Sequence, residues 1–241
     1  MFNLPNRILV SLLLAFLGAG CTFSVPLRMD PEFAAGKHTV KKVAILPPDV
    51  QYQLIYLNGN RERQPKKEQQ LRSELETKIS RSLEGRGYEV RRYVPEEVEK
   101  KLVGANSVVE QIKGAYRSAA AKVLYVRPVS DAESRKFRVT IGSVGNDLGK
   151  LLDADAFLLT GHDAYGSSKG LAAVEMVTAV VSAAAGGTAT GSLPLPNMEL
   201  ALVDAMTGNI LWANRAHISN PRILLFSFPK RQGLPSLNQE E

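Results

Sequence analysis

One segment of the sequence has the spacing of a catalytic nucleophile. Residues 166–170 read Gly-Ser-Ser-Lys-Gly and fit the pattern G-x-S-x-G, in which a serine occupies a sharp turn between a strand and a helix. Asp204 and His217 follow, in an order that serine hydrolases use. In such a site Ser168 attacks the substrate, His217 acts as the base, and Asp204 orients the histidine. A serine hydrolase is therefore one hypothesis for this chain.

The same residues also have structural explanations. Small residues between a strand and an alanine-rich helix produce G-x-S-x-G without any catalytic need, and the sequence lacks an HGGG-type segment to form an oxyanion hole. Asp204 begins the pattern D-x-x-T-G, a turn in which aspartate accepts backbone N–H groups and glycine adopts a positive φ. We therefore predict a protein without catalytic residues and keep the hydrolase as the alternative.

The sequence predicts no metal site and no cofactor. His38, His162 and His217 are far apart and lack the spacing of metal ligands. There is no P-loop and no G-x-G-x-x-G after a strand. Asp153 and Asp155 flank a predicted helix-to-strand turn, and we interpret them as turn residues and not as a catalytic pair.

The N-terminus has the layout of an export signal. A single positive charge, Arg7, precedes the apolar run Ile8–Leu17, and the small residues 18–20 lead directly to Cys21, which is the one cysteine of the chain. The apolar run is too short for a membrane span, which needs about 20 residues. We therefore predict that residues 1–20 are a signal peptide.

This segment resembles the signal of bacterial lipoproteins, in which the cysteine follows a short lipobox. The resemblance implies a diacylglyceryl thioether on Cys21, cleavage after Gly20 and acylation of the new N-terminus. Thr22, and not an acidic residue, follows the cysteine, which by the sorting habit of Gram-negative lipoproteins implies the outer membrane. The expected location is thus the periplasmic side of the outer membrane, with the lipid as the anchor.

Composition supports a folded envelope domain. The 241 residues are 44% hydrophobic and 22% charged, which is typical of a globular protein. The net charge is +6, and loss of the signal peptide removes only Arg7. So small an excess, spread along the chain, does not indicate nucleic acid as a partner. Residues 21–39 are predicted to be a lipidated tether, residues 40–219 a single domain, and residues 220–241 a flexible proline-containing tail.

Alternation of strands and helices predicts an α/β fold. A charged amphipathic helix over Lys66–Glu84 lies between strands at Val40–Leu46 and Tyr88–Val94. A hairpin is predicted around residues 204–209. Further strands are predicted at Gln51–Leu57, Val123–Val126, Phe137–Ile141 and Ala156–Gly161.

A second helix, Gly170–Ala185, is unusually apolar. Between residues 171 and 185 it contains one charged residue, Glu175, yet it is shorter than a membrane span. Two interpretations remain open: a buried helix that covers the sheet, and a contact face for a partner or for homo-oligomerisation through residues 171–185. Several alanines would allow another helix to approach closely.

Four segments together are similar to the TolB N-terminal-like and curli-assembly (CsgG-like) lipoproteins. They are residues 43–48 (VAILPP), 85–90 (GRGYEV), 148–161 (LGKLLDADAFLLTG) and 202–212 (LVDAMTGNILW), in the order of those families. The resemblance covers about residues 40–217. It implies a mixed α/β sheet with flanking helices, no catalytic residues, and work through protein contacts in envelope assembly, secretion or transport, or cell-wall-synthase regulation.

The chain departs from the curli exporter in one respect. That exporter forms its pore from long hairpins of alternating residues, whereas the best alternation here is Phe137, Val139 and Ile141. These span five residues, and a membrane strand needs about 9–11. We therefore predict a periplasmic accessory domain and not a channel.

Overall fold

The computed structural model describes residues 28–124, 138–184, 193–218, 220–225 and 228–230. Within these ranges a mixed sheet carries helices on both faces, which confirms the predicted α/β class. The predicted signal peptide, Cys21 and the segment 185–192 lie outside the described residues. The strands are β1 (Arg28–Met29), β2 (Lys42–Ile45), β3 (Asp49–Ile55), β4 (Arg61–Arg63), β5 (Glu89–Arg92), β6 (Ala156–Ser167), β7 (Asn197–Asp204) and β8 (Ile210–Ala216). The helices are α1 (Pro31–Ala34), α2 (Pro65–Glu84), α3 (Pro95–Lys101), α4 (Ala105–Leu124), α5 (Asn146–Leu152), α6 (Lys169–Ala184) and α7 (Pro221–Leu225).

The long strand β6 organises the sheet. Along one side it pairs antiparallel with β7, and β7 pairs antiparallel with β8. Along the other side it pairs parallel first with β2 and then with β3. The strand order is β1-β8-β7-β6-β2-β5, and the hairpin partner β4 pairs with β3. One strand of 12 residues therefore runs the length of the sheet and joins its two ends.

Two prolines separate β2 from β3. The backbone N–H of Leu46 still donates to the carbonyl of Leu158 at 3.1 Å, but Pro47 and Pro48 have no N–H group to continue the ladder. Pairing with β6 then resumes at Asp49. The predicted strand Val40–Leu46 thus ends at the two prolines. A gap in the sheet remains beside β6, between its pairing with β2 and its pairing with β3.

The core lies on both faces of the sheet, as alternation along buried strands requires. Phe157 and Leu159 of β6 pack on one face together with α4 and α5, whereas Leu158 packs on the opposite face with α2 and α7. Helix α2 covers the latter face with its predicted apolar stripe, of which Leu75, Ile79 and Leu83 are buried. The predicted helix over Lys66–Glu84 is confirmed.

The predicted tether is wrong in its second half. Residues 28–29 form β1 and pair with β8, and Asp30 caps α1 by accepting the backbone N–H groups of Glu32 and Phe33. Phe33 is buried in the core. A strand of two residues and a helix of four have no detectable periodicity, so the sequence offered no signal for them.

The predicted tail and two predicted strands also differ from the structure. Within the described part of the tail, residues 221–225 form α7, and Phe228 contacts the ring of Trp212. At the predicted strand Val123–Val126, residues 123 and 124 belong to α4 and the other two residues are not described. The described part of Phe137–Ile141 makes one bridge, Thr140 to Asn209, and no strand. These segments are short, and their conformation depends on the surfaces against which they pack and not on their own sequence pattern.

Candidate functional site

Ser168 lies at the junction between β6 and α6. The backbone N–H of Leu171 donates to the Ser168 Oγ at 3.3 Å, and the backbone N–H of Ser168 donates to the carbonyl of Ile55 at 2.9 Å. The strand–turn–helix context of the motif is as predicted. The serine hydroxyl acts there as the N-cap of α6, because it accepts one of the N–H groups that a helix leaves unpaired at its first turn.

Asp204 organises the turn between β7 and β8. Its Oδ1 accepts the backbone N–H groups of Met206 and Thr207 at 3.0 and 2.6 Å and the Thr207 hydroxyl at 2.7 Å. Its Oδ2 lies 2.6 Å from Nε2 of His38. Gly208 has a φ of +70°, and a Cβ there would overlap the carbonyl oxygen of Gly142. The carboxylate thus holds the turn and the residues that precede β2.

The structure does not bring the three predicted hydrolase residues together. Asp204 pairs with Ala156, and Ser168 is twelve residues further along β6, which corresponds to about 40 Å of strand. His217 directly follows Ala216 of β8, which is level with His162 of β6. His217 therefore lies at the end of a different strand, at a level between Asp204 and Ser168. The histidine next to Asp204 is His38, and the sequence indicated nothing of this pairing.

The two aspartates before β6 hold chain segments together. Asp155 Oδ2 accepts the backbone N–H groups of Lys41 and Lys42, both at 2.8 Å. The exposed Asp153 lies 2.6 Å from Nζ of Lys42 and 3.2 Å from Nη2 of Arg91, and these two cations lower its pKa. Both residues lie between α5 and β6, in agreement with their interpretation as turn residues. In the described ranges no group of three or more histidine, cysteine, aspartate or glutamate side chains is arranged to hold a metal ion.

A polar cleft opens beside the gap between β2 and β3. It has a volume of about 260 Å³ and lies between α4 and the middle of the sheet. Sequence analysis missed it, because it depends on the register of three strands and on α4 crossing above them. The polar residues that line it are Asp49, Gln51, Lys113, Tyr116, Arg117, Thr160, His162, Asp163, Asn197 and Glu199.

Burial sets the electrostatics of this cleft. It raises the pKa of Glu199, and nearby Asp163 raises it slightly further, whereas a hydrogen bond from Tyr116 and the charge of Arg215 act in the opposite direction. Burial also lowers the pKa of His162. At the rim, Nη1 of Arg117 lies 3.3 Å from Oδ2 of Asp49. The cleft therefore holds a carboxylate in an unfavourable environment beside exposed cations, an arrangement that is common at binding sites.

Helix α6 is exposed, and the interpretation as a buried helix covering the sheet is wrong. The large apolar side chains on its outer side are accessible to solvent by 46% at Val174, 70% at Met176, 63% at Val177 and 61% at Val181. The inner side is the stripe of Leu171, Glu175 and Ser182, of which Glu175 accepts a hydrogen bond from Ser167 at 2.7 Å. Glu175 and Ser182 thus face the domain, while Val174, Met176, Val177 and Val181 face away from it.

The loop before β4 extends this apolar surface. Leu57 is exposed in the turn between β3 and β4, and the turn borders a shallow hollow shared with the first residues of α6. Of the helices within the described ranges, none combines the length and the hydropathy needed to cross a bilayer. The fold and its surfaces thus define a mixed α/β protein with two features open to partners, the polar cleft and the apolar α6.

Comparison with known proteins adds little to this description. A scan against protein-family models finds no match, and a search of curated proteins finds no relative. The chain is similar to the crystal structure of lipoprotein GNA1162 from Neisseria meningitidis, with 17% identity over 73% of this chain and 80% of that chain and a TM-score of 0.31. A similarity at that TM-score shows neither the family nor the function of this chain, so the resemblance to the TolB-like and CsgG-like families stays a prediction.

Proposed function

We propose that this protein is a lipid-anchored envelope protein that acts by contact with other envelope components and not by catalysis. The observation that carries the proposal is the outer face of α6, where Met176, Val177 and Val181 are largely exposed. A contiguous apolar surface of this kind is typical of an interaction site. Because four large apolar side chains of this helix face outward while Glu175 faces inward, contact of the outer face with water is unfavourable.

The anchor is Cys21, placed by its signal-like flanks. Since β1 begins at Arg28, only residues 22–27 separate the lipidated cysteine from the sheet. A chain of that length reaches about 25 Å at most when fully extended. The domain would thus be held close to the membrane, on the periplasmic side of the outer membrane as Thr22 suggests.

Several features support a role without catalysis. Ser168 caps α6, and Asp204 is engaged by its own turn and by His38. His217 is distant from Ser168 along the sheet. The proposed role is that of an accessory protein or scaffold in envelope assembly, secretion or transport, or cell-wall-synthase regulation. Self-association through residues 171–185 is a further possibility for α6.

Membrane fractionation tests the anchor. Cys21→Ala should move the protein from the membrane to the soluble fraction and abolish processing that globomycin inhibits, because both depend on the modified thiol. Ser168→Ala is the matched control and should remain in the membrane fraction. Unchanged membrane association and processing in Cys21→Ala would contradict the anchor.

A fluorophosphonate probe tests the alternative of a serine hydrolase. The folded native chain should take up no label, since the strand register of the described residues separates His217 from Ser168 along the sheet. Labelling that is lost in Ser168→Ala and retained in Ser167→Ala would support the enzyme and contradict our proposal. Circular dichroism of both variants establishes that they are folded.

Photo-crosslinking tests for protein partners at the cleft. A photoreactive residue at Gln51, which lines the cleft, should capture a defined envelope protein, whereas one at Lys78 on the outer side of α2 should not. Equal capture from both positions would mean that the contacts are nonspecific. No capture from Gln51 would exclude the cleft as the contact site.

A further inference from the structure

Strand directions show where the chain from Cys21 reaches the domain. Strands β6 and β8 run in the same direction, because each is antiparallel to β7. Strand β1 is antiparallel to β8, with Arg28 opposite Ala213 and Met29 opposite Trp212. The chain therefore enters β1 from the end of the sheet at which β6 and β8 finish. Helix α6 begins at that same end, directly after β6.

The reach of the chain brings the two features together. Cys21 lies at most about 25 Å from Arg28, and α6, with 16 residues, is about 24 Å long. Arg28 is level with Leu159, which precedes Ser167 by eight residues, or about 26 Å of strand. A lipid on Cys21 therefore reaches the level of α6 when residues 22–27 run extended in the direction from which the chain enters β1, and the start of α6 is then at the membrane-proximal end of the domain.

The pattern of α6 matches an apolar environment on its outer side. At 3.6 residues per turn, Val174, Met176, Val177, Val181 and the exposed alanines of α6 cover an arc of about 220°, on which Lys169, the first residue of the helix, is the one charged residue. Glu175 lies outside this arc and bonds to Ser167. From residue 172 onward the outer arc can therefore enter the acyl region without burying a charge, while Lys169 stays at the headgroups.

Charged and apolar groups next to α6 also suit a phospholipid surface. Lys169 is exposed at the start of the helix, and Arg61 is level with Ser167 across β3. Leu57, in the same loop as Arg61, is exposed beside them. Cations at the border of an apolar face are typical of segments that lie on membranes with anionic lipids.

We propose that α6 lies on the bilayer that holds the Cys21 lipid, with its outer arc in the acyl boundary and Lys169 and Arg61 at the headgroups. The inference rests on the anchor in the proposed function. A second copy of the chain is the other occupant with apolar chemistry. On a helix about 10 Å in diameter and about 24 Å long, an arc of about 220° has an area of about 460 Å², which is less than the roughly 800 Å² that each partner buries in a stable dimer and favours the membrane.

A site-specific fluorophore tests the contact in the full lipidated chain. Val177→Cys places the probe on the outer arc of α6, and Met206→Cys places it on an exposed apolar residue at the opposite end of the sheet. Each variant is labelled with an environment-sensitive dye and reconstituted in vesicles of phosphatidylethanolamine and phosphatidylglycerol. A fraction of the lipids carries nitroxide quenchers on the acyl chains.

We expect a blue-shifted emission and several-fold stronger quenching at position 177 than at 206, with the probe about 5–10 Å into the headgroup and acyl boundary. Equal, weak quenching at both positions would overturn the proposal. A blue shift at 177 without lipid quenching, together with a doubled mass in light scattering, would assign the face to a second copy and likewise overturn it.

Failure of the anchor is seen separately. An acylated Cys21 has no free thiol, so the chain without an introduced cysteine should take up no dye. Dye uptake by that chain would contradict the anchor, and the quenching at position 177 would then be measured in a Cys21→Ala background. Strong quenching there still supports α6 as a membrane contact, and its absence overturns that contact on its own evidence.

Discussion

The two ends of β6 differ in how fully the side chains around them make contacts within the protein. At the turn end, where β6 begins, Asp155 is bonded to backbone groups of a distant segment, and Asp204 is bonded to backbone groups of its own turn and to His38. At the helix end, where β6 finishes, Ser168 caps a helix whose apolar side chains face outward. The turn end is complete within the described structure, whereas the helix end presents a surface suited to something outside it.

This contrast distinguishes residues whose sequence pattern resembles an active site from residues that form an exposed surface in the folded protein. Asp155, Asp204 and His38, which have residue types typical of active sites, hold the turn end together. The apolar residues of α6, which have no chemical reactivity, form an open surface. If the contrast is correct, substitutions at the turn end should change stability strongly, and substitutions at the helix end should change it weakly while affecting contacts.

The largest effect is expected for Asp204→Ala. It removes three hydrogen bonds at the turn and the contact with His38, so we expect a loss of about 3 kcal/mol in the free energy of unfolding. Urea denaturation measures it. His38→Ala should lose less, since it keeps the turn. A loss below about 1 kcal/mol for Asp204→Ala would contradict its role as the support of the turn.

The second effect distinguishes two neighbouring aspartates. Asp155→Ala removes the acceptor for two backbone N–H groups and should lower the free energy of unfolding by about 1–2 kcal/mol. Asp153→Ala is the matched control and should cost less, because Asp153 is exposed and its ion pairs with Lys42 and Arg91 are screened by solvent. Chemical denaturation of both variants gives the order, and the reverse order would break the proposed distinction.

The third effect tests Ser168 at the helix end. Ser168→Ala should cost about 1 kcal/mol, the usual value for loss of an N-cap. Ser168→Asp should restore most of this stability, because aspartate caps helices as well as serine does. A nucleophile would not be rescued by aspartate in any assay of activity. Equal losses in thermal denaturation of the two variants would contradict the capping role.

The smallest effect concerns Glu199, between the two ends, and it has the opposite sign. Because burial raises its pKa, the folded state binds a proton more readily than the unfolded state, and stability falls as pH rises from about 4.5 through the raised pKa. Glu199→Gln should therefore raise the melting temperature at neutral pH, and the gain should vanish below pH 4.5.

The control for this effect is an exposed carboxylate. Glu97→Gln, on the exposed outer side of α3, removes a carboxylate that does not line the cleft and should leave the melting temperature at neutral pH unchanged. If Glu199→Gln instead destabilises the protein at neutral pH, the bonds to Tyr116 and Arg215 outweigh the burial of the charge. The cleft would then be a structural network and not a strained binding site.

Local patterns allowed much of the fold to be predicted. The stripe in Lys66–Glu84, the D-x-x-T-G turn and the strand before Ser168 each follow from contacts within a few residues, and the structure has all three. Strand β1 and helix α1 could not be predicted, since two to four residues have no measurable period. The polar cleft was missed because its residues come from four separate segments.

The sequence by itself determined the α/β class, the position of Ser168 between a strand and a helix, the turn at Asp204 and the signal-like flanks of Cys21, because these depend on periodicity and on bonds between near neighbours. Only the tertiary structure decided that Asp204 meets His38 and not His217, and that the apolar side of α6 faces outward. Both depend on strand register and on packing between segments far apart in the chain, and the sequence of an apolar helix does not indicate which surface it will contact.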